Sequence, residues 1–269
     1  MKKRHLSVGT VLRWIAMTIC IVVIICSAGY LIRLAWESHQ VRQANQTAAD
    51  RFTIDKNSFG LSEKSDDVEE TADESVSTSA FSVDFESLQS ASPYAVGWIQ
   101  VSGIDVINYP IMQYSDDDYF LDHAWDGADS RYGAIFLEAN NSSDFSDSYT
   151  LVYGHNMKDG SMFGGLKKYA DAAFFQENGG VVTVYLPSEI RTYQIFSVRY
   201  VEADDPDTYT LWYQENTGYG DAVAFMKRHA LYDTGVPASG EDDILTLSTC
   251  AGEDRLVVHA KLVDTVPTV

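Results

Sequence analysis

Three kinds of side chain at the ends of apolar segments have the chemistry to move an acyl group: a thiol, an imidazole and a guanidinium. Cys250 closes the segment Asp243-Ile-Leu-Thr-Leu-Ser-Thr-Cys250 and is the only cysteine outside the N-terminal hydrophobic run. Arg255 opens a second segment, Arg255-Leu-Val-Val-His-Ala-Lys-Leu-Val263, and His155 ends Tyr149-Thr-Leu-Val-Tyr-Gly-His155 far upstream. A cysteine attacks as its thiolate, so it needs a base or an electropositive setting. An arginine fork offers fixed donors to a developing oxyanion. Taken alone, Cys250 reads equally well as a buried structural thiol packing as a small hydrophobe.

Six histidines compete for the role of base. His5 and His39 fall in the N-terminal segments and cannot serve an exported site. His229 sits among charges on a helical stretch. His259 lies four residues beyond Arg255, about 13 Å further along an extended chain, and so points away from the end that carries the thiol. His123, in Tyr119-Phe-Leu-Asp-His-Ala-Trp-Asp-Gly127, reads as a packed or capping residue. His155 enters a Gly/Asn/Asp loop, where functional groups are displayed. The reading favours His155, with His123 as the alternative.

The elements that must position these groups are strands. Short apolar runs between Gly, Pro, Asn and Asp predict strands at Val96–Val101, Ile107–Met112, Gly133–Leu137, Thr150–Tyr153, Val181–Leu186, Thr192–Val201, Ile244–Ser248 and Leu256–Val263. The fifth and sixth read as a hairpin. Helical spacing places Leu166, Tyr169, Ala170, Ala173 and Phe174 on one stripe, and Ala222, Phe225, Met226 and Ala230 on another. Eight strands predict a mainly β fold, a closed or nearly closed barrel with a few helices. Only Ala251-Gly-Glu-Asp254 joins the Cys250 and Arg255 strands, so these are antiparallel neighbours and the two residues emerge at one end of the sheet. The alternative for Arg255 is a surface cation paired with Glu253 or Asp254. Alternation puts Ser248 on the same side of its strand as Cys250.

Residues 14–32 run uncharged for 19 positions, close to the roughly 20 needed to cross a bilayer as a helix. Lys2, Lys3, Arg4 and Arg13 precede the run and predict a cytoplasmic N-terminus. An uncleaved anchor and a cleaved signal peptide with Cys26-Ser-Ala28 at its cut site both fit; the length, with Trp14 and Tyr30 near the ends, favours the anchor. The organisation predicted is a cytoplasmic N-terminus over 1–13, a transmembrane signal anchor over 14–35, an acidic polar stalk over 36–80, whose residues 37–50 can extend the membrane helix for a few turns, and an extracellular catalytic domain over 81–269. Residues 1–36 hold five basic and no acidic residues, which leaves 14 basic and 39 acidic residues beyond them. So negative an exterior repels nucleic acid and anionic lipid. Asp116-Asp-Asp118 lacks the spaced oxygen ligands of a calcium loop and reads as a solvated turn. No metal or cofactor is expected.

Leu247-Ser-Thr-Cys250 followed closely by Arg255-Leu-Val-Val258, together with Val152-Tyr-Gly-His155-Asn-Met157, resembles the sortases, and class B in particular. Val96-Gly-Trp-Ile99, Asn108-Tyr-Pro-Ile-Met-Gln113, Tyr119-Phe-Leu121 and Gly133-Ala-Ile-Phe-Leu137 extend the resemblance over about 81–264, and a helix at 219–231 falls where class B members carry one. The resemblance implies a sortase-like β-barrel and a membrane-anchored cysteine transpeptidase on a Gram-positive cell surface. Cys250 would attack the carbonyl after a Thr in the sorting signal of a secreted protein, and His155 would carry protons to and from the amines. Arg255 would orient the substrate and stabilise the oxyanion. The acceptor would be a peptidoglycan-precursor amine or a pilin lysine. Ser248, and more weakly Asn108, would contact the peptide. The Cys–Arg connection is shorter than in many class B members, where a longer loop helps shape the substrate groove. A peptidase that hydrolyses without transfer, and a non-catalytic surface adhesin, are the competing classes.

Overall fold

The computed structural model describes residues 8–55, 81–251 and 253–268. The acidic run within 56–80 therefore lies outside the described residues. Contacts divide the chain after Ala44. The first unit is helical: α1 (Val8–Phe52) begins there, and it is the one helix among the described residues long and apolar enough to cross a membrane. Residues 36–52, at the head of the predicted stalk, continue this helix, which covers the extension allowed for 37–50 and two residues more. Their Gln, Ala and Arg content favours helix despite its polarity.

The second unit, from Asn45, contains the last turns of α1, where Ala48 and Phe52 are fully buried. β1 (Thr53–Asp55) then pairs antiparallel with β2 (Phe81–Val83). α2 (Phe85–Ala91) follows at once, capped by the Asp84 carboxylate on Ser87 N–H at 3.0 Å. Neither the ribbon nor α2 was anticipated. Phe52, Ala48 and Leu88 pack with Trp98, Phe120, Phe136 and Tyr185 in one apolar cluster. Burying an aromatic ring of this kind stabilises by roughly 1.5–3 kcal/mol.

Eight strands then close the barrel. In chain order these are β3 (Ala95–Val101), β4 (Asn108–Met112), β5 (Ile135–Leu137), β6 (Tyr149–Tyr153), β7 (Val181–Tyr185), β8 (Glu189–Val201), β9 (Ile244–Ala251) and β10 (Asp254–Pro267). Their order round the barrel is β10-β8-β7-β3-β4-β5-β6-β9, with β9 hydrogen-bonded back to β10. All neighbours run antiparallel except β4–β5 and β6–β9. The predicted eight-stranded barrel and the β7–β8 hairpin are both present. β5 starts two residues later than predicted, because Gly133 takes a left-handed turn and Ala134 N–H bonds the Phe120 carbonyl. β10 departs from simple alternation: Leu256, Val257, Val258, His259 and Ala260 are all buried, since both faces of the strand are covered.

The helices are shorter than periodicity implied. The stripe at 166–174 is two pieces, a 3-10 turn (Gly164–Ala170) and α4 (Ala172–Asn178). Asp171 separates them, its carboxylate accepting from Ala173 N–H as an N-cap. Three further helices are α3 (Tyr119–Asp122), α5 (Pro206–Tyr209) and α6 (Tyr219–Arg228). α6 ends before the predicted 231, with His229 at its C-cap. Its Tyr219, Ala222, Val223 and Met226 pack against Tyr149, Phe196 and Ile244.

Candidate active site

Two strand registers assemble the site. In the antiparallel β9–β10 pair, Cys250 stands directly opposite Arg255. In the parallel β6–β9 pair, Tyr153 stands beside Ser248, and Gly154 N–H donates to the Ser248 carbonyl at 3.1 Å. Continuing each chain by two residues reaches His155 on one and Cys250 on the other. All three predicted positions thus leave the barrel at one rim, although His155 is far from the other two in sequence.

A cleft of about 290 Å³ opens at this rim, lined among others by His155, Arg255, Ser248, Tyr153, Tyr209 and Asp117. The imidazole is partly exposed, and its Nε2 lies 2.6 Å from the Leu121 carbonyl oxygen. A carbonyl only accepts, so Nε2 carries a proton in this arrangement. Nδ1 is then the nitrogen whose proton can come and go while the bond to Leu121 persists. Arg255 is half-buried, and its guanidinium donates to the Asp254 carbonyl at 3.2 Å. Ser248 is buried at the cleft wall, its hydroxyl 2.8 Å from that of Tyr209.

Tyr209 is held there by polar contacts beneath it. Arg199, 3% exposed, donates to the Asp205 carboxylate at 2.7 Å and to the Thr208 hydroxyl at 2.9 Å, which fixes α5. A hydrogen-bonded chain runs from His259 Nδ1 to Thr246 Oγ1, from Thr246 to Tyr149 Oη, and from Tyr149 to the Thr208 carbonyl. Because the Thr246 proton is spent on Tyr149, His259 is the donor to Thr246. His259 is fully buried, and burial with the nearby Arg199 cation holds its pKa well below the ordinary histidine value. It is a neutral structural residue. His123 is also occupied elsewhere: its Nδ1 lies 2.7 Å from the Tyr119 carbonyl and its ring stacks on Tyr119 at 4.0 Å. Of the competing imidazoles, His155 is the one on the cleft.

Asn108 is not brought to the cleft. It begins β4 and lines a separate polar pocket with Gln100, Ser102 and Asp105. Its side-chain oxygen accepts from the Trp98 indole at 2.7 Å and from Gln100 at 3.1 Å. That commitment corrects its assignment as a peptide contact: it satisfies a buried tryptophan.

The Asp116–Asp118 turn is only partly solvated, contrary to expectation. Asp116 caps it by accepting from Asp118 and Tyr119 N–H. Asp117 turns inward, accepting from Ala139 N–H at 2.8 Å. Burial, and then the neighbouring Glu138 carboxyl, push its pKa up to about 7. Glu138 in turn accepts from the Tyr153 hydroxyl at 2.7 Å, and burial and Glu138 raise the tyrosine's pKa. Tyr153, Tyr209 and Glu138 were not singled out from sequence. Only Tyr153 carried a signal, since it sits two residues before His155 on one strand. Among the described residues no group of three acidic, histidine or cysteine side chains is placed to hold a metal.

Comparison with known proteins agrees with this geometry. A Sortase domain model matches residues 99–263. Sortase B of Listeria monocytogenes is 35% identical over 191 residues, covering 65% of this chain and 72% of that protein. The crystal structure of Bacillus anthracis sortase B in complex with AAEK1 superposes with a TM-score of 0.61 at 37% identity, over 67% of this chain and 84% of that one. Staphylococcus aureus sortase B in its substrate complex gives 0.63 at 27% identity, over 67% and 85%. A sortase B complexed with triglycine gives 0.63 at 27% identity, over 67% and 86%. The chain belongs to the sortase family of cysteine transpeptidases, on its class B branch.

Proposed function

We propose that this protein joins secreted surface proteins to a cell-wall amine through a thioester on Cys250, working from the outer face of the membrane. The observation that carries this reading is the pair of registers that brings positions 155, 250 and 255 to one rim of the barrel. The Cys250 thiolate adds to the carbonyl carbon after the Thr of a sorting signal, and the carbonyl electrons move onto oxygen. The Arg255 guanidinium donates to that oxyanion, an interaction strongest in a water-poor cleft. As the oxyanion collapses, the C–N bond breaks and the imidazolium of His155 protonates the departing amine. The products are a Cys250 thioester and a neutral imidazole. An acceptor amine then adds to the thioester, His155 takes its proton, and the thiolate leaves. With Nε2 anchored on Leu121, the proton travels through Nδ1. Ser248 and Tyr209 form the wall against which the peptide backbone lies.

The solved relatives bound to a substrate and to triglycine support a peptide donor and an amine acceptor. The positive charges before residue 14 and the apolar run beyond it support an anchor with its N-terminus inside and residues 81–269 outside. The test uses the full-length protein in detergent micelles with sorting-signal peptides. Mass spectrometry should find an acyl adduct on Cys250, and an added peptidoglycan-precursor amine should yield a ligated product. Cys250→Ala and His155→Ala should each abolish the adduct. Arg255→Lys should slow acylation by about 10²-fold, the scale of losing an oxyanion donor. Adduct formation in His155→Ala, or hydrolysis unaffected by any acceptor amine, would defeat the reading. A product formed only with a pilin lysine would move the acceptor to pilins.

A further inference from the structure

Asp117 lines the cleft and Glu138 bonds Tyr153, which also lines it, and the acyl-transfer steps give neither carboxyl anything to do. The loop that joins β4 to α3 is tied to the chain beyond β5 at two points. Gln113 Nε2 donates to the carbonyls of Glu138 at 3.1 Å and Asn141 at 2.7 Å. Ala139 N–H donates to Asp117 Oδ1 at 2.8 Å. Glu138 is 8% exposed and already accepts twice, from Asn140 on Oε1 at 3.0 Å and from the Tyr153 hydroxyl on Oε2 at 2.7 Å. Asp117, held on the peptide N–H of the very next residue, Ala139, neighbours the same carboxyl, which pushes its pKa up after burial does. Two neighbouring carboxylates in this half-buried place repel when both are charged, so their proximity favours a proton held on one of them. Tyr153, held by Glu138, lies nearly parallel to Tyr209, 11° apart with ring centres 6.5 Å apart, and both rings line the cleft.

We propose that Asp117 and Glu138 are positioning residues: one shared proton fastens the 113–118 loop to the end of β5 and holds Tyr153 and Tyr209 in the conformation that grips the donor peptide. Losing that proton sets two carboxylates against each other and loosens the wall. This rests on the peptide-binding reading of the cleft given above. The pair's proton is lost around neutral pH, since the Asp117 pKa is raised to about 7. The groups facing the pair are Asp116 and Asp118 from its own loop, Tyr153 from β6 and Tyr209 from α5. His155 and Arg255 complete the lining of the same cleft. Asp116 adds to the repulsion, so the deprotonated state has no compensating cation on its own loop.

The experiment measures the affinity of a fluorescent sorting-signal peptide for full-length Cys250→Ala protein in detergent, using a peptide that acylates the intact protein. Affinity should fall about tenfold from about pH 6 to about pH 8.5, the change expected if the bound peptide raises the pair's pKa by one unit. The midpoint should lie near 7. Glu138→Gln keeps an acceptor for Tyr153 and a donor for Asp117, so its affinity should stay level across the range. Asp117→Asn provides the same test should Glu138→Gln fold poorly. Adding His155→Ala should leave the pH limb in place. A level profile in the Cys250→Ala protein, or a limb that survives Glu138→Gln and vanishes with His155→Ala, would overturn the proposal. A peptide that neither acylates the intact protein nor binds at any pH would overturn the functional reading with it.

Discussion

Replacing Gly133, which does not itself line the cleft, by alanine should disable His155. Gly133 has φ +57°. An added Cβ would lie 2.4 Å from the Phe120 carbonyl oxygen, 2.9 Å from the Leu121 carbonyl oxygen and 3.1 Å from His155 Cδ2. The first carbonyl is pinned by Ala134 N–H at 2.9 Å, and the second is the anchor of His155 Nε2 at 2.6 Å. To restore even a 3.0 Å contact, the Phe120 carbonyl must retreat by more than half an ångström, taking the Leu121 peptide with it. Left-handed backbone costs alanine about 1–2 kcal/mol, and displacing two bonded carbonyls brings the total to about 2–3 kcal/mol. At roughly 2–4 °C per kcal/mol for a domain of this size, the thermal midpoint should fall by about 4–12 °C. Misplacing a reacting group by up to 1 Å costs as much as about 10²-fold, so the acylation rate of folded protein should fall by roughly 10–100-fold. Gly160 supplies the control, with φ +81° and nothing within 4 Å of an added Cβ. Gly160→Ala should incur the backbone cost alone and acylate normally. Thermal unfolding and single-turnover acylation below the midpoint measure both effects. A Gly133→Ala protein acylating within about twofold of wild type would refute the link between this turn and the imidazole.

Three other outcomes are expected. Asn108→Ala strands the buried Trp98 indole N–H and should cost about 1–3 kcal/mol in denaturant unfolding, with acylation unchanged; a slowed reaction at full stability would return Asn108 to the substrate. Phe52→Ala should cost about 3–5 kcal/mol, the scale of a deleted core aromatic, and a smaller loss would mean that the end of α1 is not part of the catalytic core. His259 is neutral in the fold with its pKa held well below 6.5, whereas the unfolded chain protonates near that value. Below about pH 6.5 the unfolded state therefore gains a proton that the native state refuses, and stability falls by up to about 1.4 kcal/mol per pH unit. The stability advantage of wild type over His259→Asn should accordingly be largest above that pH and shrink as pH falls; a constant difference would mean that His259 takes up a proton inside the fold.

The relation between Cys250 and Arg255 was legible in the chain because it is local. Four residues separate Cys250 from Arg255, a link that short forces antiparallel pairing, and the register follows. The barrel strands were legible for a related reason: each is a short apolar run bounded by turn residues. What escaped depends on contacts between distant segments. A helical extension over 37–50 was legible, but the burial of Ala48 and Phe52 was not, because polarity is visible in sequence and the pocket that takes these two residues is not. Asp117 read as solvated because a run of three aspartates gives no sign that the middle one meets a buried glutamate across the sheet. Asn108 read as a substrate contact because its bond to Trp98 crosses from β4 to β3.

The approach of His155 to Cys250 belongs to a different order of difficulty. Parallel neighbours cannot be joined by a tight turn, so between β6 and β9 the chain must complete β7, β8 and the helices α4 to α6 before the two positions meet. Residue spacing alone left His123 in competition; the parallel register of Tyr153 with Ser248 is what separates them. The site accordingly has two grades of robustness. The thiol and guanidinium positions are bound by a hairpin and depend on little else. The imidazole depends on the whole crossover and on one turn at Gly133. Substitutions in the α5 support, such as Arg199 or Asp205, should therefore disturb the wall beside Tyr209 and the β6–β9 seam while leaving the Cys250–Arg255 hairpin in register.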